Sequence, residues 1–133
     1  MISLSSLGSN GRLGNQMFQY ASLRGITTNR KFDYCIPNLD IPLYQCFNIA
    51  KKFGFVSSEH QITSDGFEFD QELFENCPDD VDLYGYFQSE KYFKNVEDII
   101  RKEFTFCDRI DKICSHYIQN KFPDQNIIAL HIR

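Results

Sequence analysis

The sequence has no tryptophan, no C-x-x-C pair and no apolar run near the ~20 residues that a membrane span requires. Basic charge is not in excess either: 14 Lys and Arg stand against 18 Asp and Glu, for a net charge of −4. Without a basic face there is no electrostatic footprint for nucleic acid, and that class of partner is excluded. The opening MISLSSLGSNGR has neither the basic start nor the apolar core of a secretory signal. Five cysteines, Cys35, Cys46, Cys77, Cys107 and Cys114, are an odd number at wide spacing, which is neither a disulfide framework nor a zinc site. Reduced thiols in a cytosolic protein are the expectation. Internal repeats, low-complexity tracts and linkers are also missing.

What is present suits one globular unit. A chain of 133 residues is long enough to bury a core, and its 42% hydrophobic and 24% charged composition is ordinary for such a domain. Thirteen Phe and seven Tyr make that core aromatic. Residues 2–7 are β-compatible and run into a Gly-Ser-Asn-Gly loop. A helical pattern follows from Asn15, with Met17, Phe18, Tyr20, Ala21 and Ile26 as its apolar stripe. Residues 32–36 read as the next strand, closed by Pro37, so the chain opens as a βαβ unit.

Residues 41–55 are a short helix or an aromatic-packed loop, and 57–66 read as connection. A helical turn over 70–76 is stopped by Cys77-Pro78, and 81–87 is a strand candidate. Ser89 can cap a helix that carries Glu90 in its first turn. Its apolar face would be Tyr92, Phe93, Val96, Ile99, Ile100 and Phe104. Asp108 can cap another, with Ile110, Ile113, Cys114, Tyr117 and Ile118 facing inward. The apolar run at 126–130 suits a strand of a parallel sheet buried on both faces. The class is α/β, with a largely parallel sheet and flanking helices.

Ligands of open α/β sheets bind beyond the carboxyl ends of the strands. Two unusual stretches fall at such ends. Gly8, Gly11 and Gly14 are spaced G-x-x-G-x-x-G, which is neither the dinucleotide fingerprint nor a P-loop, and an ordinary tight turn explains the spacing by itself. Arg12 and Asn15 add an anion clamp beside a helix N-terminus. His131 and Arg133 share one face of the last strand. Asp80-Val81-Asp82 has the D-x-D form of metal–nucleotide sites, but the match is short and common by chance, and a solvated acidic turn is what is expected after Cys77-Pro78. His60 and His116 have no partners at ligand spacing.

Three stretches, GRLGNQMFQYA at residues 11–21, LYGYFQSEKYF at 83–93 and IALHIR at the end, together resemble glycosyltransferase family 11, the α-1,2-fucosyltransferases. The family's third motif is H-x-R-R-x-D, of which His131, Ile132 and Arg133 are present. The resemblance implies a GT-B-type enzyme with two Rossmann-like halves. Residues 1–125 would be the N-terminal, acceptor-side half, and 126–133 the first strand of a donor-binding domain that is otherwise missing. By that reading the isolated chain is an inactive, marginally stable fragment. The full enzyme would be cytoplasmic, with peripheral membrane association open to it.

The implied reaction moves L-fucose from GDP-fucose to the 2-hydroxyl of a galactose-type acceptor, with inversion and without a metal or cofactor. Negative charge building on the β-phosphate needs cations and N–H donors aimed at it. The resemblance assigns that role to Arg133, with Arg12 and Asn15 reaching across from the other half. Donor contacts would come from Gly11, Arg12, Gly14, Asn15, His131 and Arg133. Tyr86, Gln88 and Glu90 are candidates for the acceptor cleft, although Ser89 and Glu90 can also simply start a helix. Partners would be a nucleotide sugar and a glycan. A non-catalytic carbohydrate- or nucleotide-binding module is the alternative.

Overall fold

A computed structural model of the chain describes residues 1–55, 60–64 and 67–130. Four strands, β1 (Ile2–Ser3), β2 (Tyr34–Cys35), β3 (Gln61–Ser64) and β4 (Val81–Gly85), form one sheet in the order β2-β1-β4-β3, and every pairing is parallel. The opening unit is the expected strand, turn, helix and strand. Its helix α1 (Leu13–Arg30) begins two residues before the predicted start. It ends where Lys31 turns left-handed at φ 59°. There the Phe32 N–H reaches Thr27 O at 2.9 Å and the Lys31 N–H reaches Thr28 O at 3.2 Å, which satisfies two of the last carbonyls.

The short helices α2 (Pro42–Cys46) and α3 (Gln71–Asn76) lie in the connections. Pro42 starts the first, where a missing N–H costs nothing. Asp70 caps the second by accepting from the Leu73 N–H at 2.9 Å, and Cys77-Pro78 stops it as expected. The region read as connection at 57–66 holds β3, whose Gln-Ile-Thr-Ser sequence is polar because it sits at the sheet edge, with both faces part-exposed. Periodicity cannot announce such a strand.

The predicted helix at Ser89 is broken. Ser89 makes no side-chain cap, and two 3₁₀ turns, Glu90–Tyr92 and Lys94–Val96, precede α4 (Glu97–Glu103). Tyr92, Val96 and Ile100 are buried as predicted, whereas Ile99 is exposed. Helix α5 (Asp108–Lys121) has Cys107, not Asp108, at its cap position and buries no residue, so Ile113, Tyr117 and Ile118 face outward instead of inward. Residues 126–130 carry no strand, and Ile128 and Leu130 are largely exposed.

The core lies between the sheet and α1. Ile2, Leu4, Leu7, Val81 and Leu83 meet Tyr20, Leu23 and Ile26 there, all buried. An aromatic group extends it: Tyr92 contacts Phe69, Phe74 and Phe87, and its hydroxyl accepts from the Asp70 N–H at 2.8 Å. Near the other end of α1, Glu103 accepts from Tyr20 Oη at 2.7 Å and Arg24 at 3.1 Å, tying α4 to the helix. Burial, followed by the bonds to Tyr34 and Glu103, pushes the Tyr20 hydroxyl far above the ordinary tyrosine range, so it remains a donor.

Two features fix the layers. Gly25 of α1 lies so close to the 3₁₀ turns that a methyl group there would stand 1.8 Å from Tyr92 O, a backbone atom. Asp82 of β4 accepts from Ser3 Oγ at 2.6 Å, the Ser5 N–H at 2.8 Å, Ser5 Oγ at 2.6 Å and Gln61 Nε2 at 3.3 Å. Burial alone would raise its pKa; the bonds from Ser3, Ser5 and Gln61 outweigh that and hold it below the usual carboxylate range. Gly25→Ala is expected to cost about 2–3 kcal/mol or more in urea unfolding, because backbone must shift to admit the methyl. A loss under about 0.5 kcal/mol would show that the approach is not tight.

A lowered folded-state pKa means that Asp82 contributes stability above the ordinary aspartate pKa of about 3.9. That contribution disappears as pH falls through the folded value. Unfolding curves of Asp82→Asn between pH 2 and 5 should therefore flatten relative to wild type. Parallel curves would show that the Asp82 charge does not matter.

Candidate functional site

β1 and β4 are neighbours in the parallel sheet, so the chain leaves their carboxyl ends side by side. Open α/β sheets bind ligands beyond the carboxyl ends of their strands. Residues 4–12 leave β1 there as a compact loop, with Leu7 N–H on Leu4 O at 3.1 Å and Ser9 N–H on Ser6 O at 3.0 Å. Gly11 takes φ +93°, and a Cβ on it would strike Asn15 Nδ2 at 2.4 Å. Its glycine is therefore required by the seating of Asn15, a reason internal to the protein.

Gly14 differs. It has ordinary helical backbone, is exposed, and a Cβ on it would meet nothing within 4 Å. An exposed glycine in a helix costs about 1 kcal/mol relative to alanine, and no contact in the fold requires it.

Helix α1 starts uncapped. Arg12 occupies the cap position without a side-chain capping bond, and no acidic residue lies in the first turn. Its N–H groups thus present the positive end of the helix dipole beside an exposed guanidinium. One turn in, Asn15 Oδ1 accepts from Gln88 Nε2 at 2.8 Å. That bond joins the first two motifs, and it leaves the Asn15 amide N–H groups facing away from Gln88.

The rest of the seam between α1 and the segment after β4 is built the same way. Gln19 is fully buried and donates to Gly85 O at 2.9 Å and Asn10 O at 3.2 Å. Ser22 Oγ donates to Phe87 O at 3.2 Å, and the Phe18 ring meets Phe93 edge-on at 5.9 Å. Gln16, also buried, accepts from the Leu43 N–H at 3.2 Å and donates to Gly11 O at 3.4 Å. The glutamines thereby clamp both ends of the site, the loop and the strand, to one helix. Phe87 is buried with a left-handed φ of 52°, a costly conformation for a bulky residue, and the turn it makes leads directly into Gln88.

Of the sequence-predicted residues, Gly11, Arg12, Gly14, Asn15 and Gln88 fall at this one place. Tyr86 is half-buried between β4 and Phe87. Glu90 lies apart, on a groove of about 630 Å³ with Phe93, Lys94, Glu97, Arg101 and Phe104. His131 and Arg133 lie outside the described residues. The pair in D-x-D does not converge on a ligand: Asp82 is turned into the sheet, and Asp80 is exposed with φ 58°. Among the described residues no group of three His, Cys, Asp or Glu is placed to hold a metal ion. His116 pairs with Asn120 along α5 at 2.8 Å.

Gln16, Gln19, Ser22 and Phe87 were not found from sequence. A signal existed: Asn15, Gln19 and Ser22 recur at helical spacing on a face that ought to be apolar.

The fold defines an α/β protein with an all-parallel sheet and flanking helices, and no helix among the described residues is long and apolar enough to cross a membrane. No family model, no curated protein and no solved structure matches the chain.

The open space at Gly14 gives a direct test. Gly14→Ala should leave the urea midpoint unchanged or raise stability by up to about 1 kcal/mol. A loss of more than about 0.5 kcal/mol would show that a methyl group at that turn meets a neighbour.

Proposed function

We propose that this chain is the acceptor-side, Rossmann-like half of a GT-B-type α-1,2-fucosyltransferase acting in the cytoplasm. The enzyme would move L-fucose from GDP-fucose to the 2-hydroxyl of a galactose-type acceptor with inversion. The observation that carries the reading is the 2.8 Å bond between Asn15 and Gln88. It unites two motifs far apart in sequence at the point where open parallel sheets hold ligands. Support also comes from the uncapped start of α1, with Arg12 beside it and no acid to repel an anion.

The chemistry follows from charge. As the bond from fucose to GDP breaks, positive charge spreads over the sugar ring and negative charge gathers on the β-phosphate oxygens. Arg12, the first-turn N–H groups of α1 and the Asn15 amide lower the energy of that second charge, and the amide, held by Gln88, is in place before the reaction begins. Arg133 adds a second cation and His131 positions the nucleotide. Tyr86 and Gln88 line the path of the acceptor. These cations take the part that a metal plays in other transferases.

The test is a transfer assay with GDP-fucose and a panel of galactosides, using a protein that contains this chain, with products read by mass spectrometry. Fucosylated galactoside is expected. Arg12→Ala and Asn15→Ala should each lower kcat/KM by about 10²–10³-fold, as loss of one charge-stabilising donor does elsewhere. A folded protein that yields no fucosylated product from any galactoside would sink the reading.

One observation favours a second reading, a non-catalytic carbohydrate- or nucleotide-binding module. Arg12, Asn15 and Gln88 hold and orient, but none can take a proton from an attacking hydroxyl. Tight GDP or glycan binding without turnover would select this reading over the first.

A further inference from the structure

The fold sorts the five cysteines. Cys35 and Cys77 are buried, and burial is the main cause that pushes both thiols up, Cys77 to about 11. Cys114 stands exposed on α5. Cys46 and Cys107 are different: each is half-buried, and the chain brings them together from distant positions.

Phe47 and Phe106 form an antiparallel bridge. It is flanked by the Asn48 N–H on Thr105 O at 3.0 Å and the Cys107 N–H on Cys46 O at 2.9 Å. That last bond makes Cys107 a neighbour of Cys46, the residue at which α2 ends. A backbone N–H···O bond brings the Cα atoms of the residues it joins to roughly 5–6 Å, within the range of about 4.4–6.8 Å that a disulfide spans. The Cys107 thiol donates to Gln45 O at 3.2 Å, so its sulfur lies against the end of α2, whose last residue is Cys46.

We propose that Cys46 and Cys107 form a redox-modifiable pair that closes to a disulfide by exchange with a low-molecular-weight disulfide of the glutathione class. The thiolate of one cysteine attacks the small disulfide, forming a mixed disulfide and expelling one small thiolate. The other cysteine then attacks the protein sulfur and expels the second. Two protein S–H bonds are lost and one S–S bond is made. The two protons leave on the two released thiols, and the small disulfide takes up two electrons. The pair sits at the base of α5, a helix with no buried residue of its own. Closing it would staple that base to α2. The proposal is independent of the transferase reading.

The test incubates the folded chain with oxidised glutathione, traps free thiols with a maleimide and maps the digest by mass spectrometry. A peptide linking Cys46 to Cys107 is expected, lost in both Cys46→Ser and Cys107→Ser, with glutathione retained on the remaining cysteine of each. Oxidation should also raise the melting midpoint of the wild-type chain by about 5 °C or more, with no such rise in the variants. The proposal is overturned if both cysteines carry glutathione without linking, if either links to another cysteine, or if neither reacts.

Discussion

At Gly25 the backbone of α1 runs within a methyl group's reach of the Tyr92 carbonyl, and the remaining contacts along that seam depend on this spacing. With the two backbones so near, side chains of each segment reach main-chain oxygens of the other directly. Asn95 Nδ2 donates to Gly25 O at 3.0 Å, Ser22 reaches Phe87 O and Gln19 reaches Gly85 O. A wider gap would leave those carbonyls buried without donors, at a cost of about 1–3 kcal/mol each. Close approach thus converts a helix–loop contact into a ladder, and Asn15 with Gln88 is its outermost rung.

That ladder accounts for the polarity of α1. A helix against a sheet is expected to bury aliphatic groups, yet α1 buries Gln16, Gln19, Ser22 and Thr27 beside Tyr20, Leu23 and Ile26. Buried amides are tolerated because their hydrogens find carbonyls, and in return they fix direction as well as distance. Gln19 bonds both the loop after β1 and the end of β4, so neither can shift without breaking a bond to it, and Gln16 ties the same loop to α2. Asp82 does the equivalent within the sheet, through Ser3 and Ser5 of the first strand and loop and Gln61 of the edge strand.

Much of this was legible from sequence where local signals agree. The opening βαβ unit, the helical turn over 70–76, its stop at Cys77-Pro78 and the strand at Val81 follow from periodicity and turn chemistry. What escaped was tertiary in origin. β3 is four polar and mixed residues that become a strand only because β4 offers an edge. The chain after Ser89 fails to form one helix because it is pressed against Gly25, where 3₁₀ turns follow the surface that a continuous helix would not. α5 has the amphipathic spacing of an inward-facing helix but no surface to meet among the described residues. At the site, the turn residues Gly11, Arg12 and Asn15 were visible; the buried glutamines behind them were not, because polar residues at helical spacing read as a solvated face until the loop and strand they bond are known.

The place of β1 in the sheet has a consequence for how the protein is made. Ile2 pairs with Tyr34 on one side and with Val81 on the other. β1 is thus a central strand made before both of its neighbours, and half of its hydrogen-bonding edge has no partner until β4 has been synthesised. At roughly 5–20 residues per second, that wait is on the order of several seconds. Throughout it Leu4 and Leu7, fully buried in the finished fold, lack the cover that β4 and the chain after it provide. A nascent chain of this design spends its early life as an incomplete βαβ unit with one apolar edge open, which is the kind of surface that holding chaperones bind.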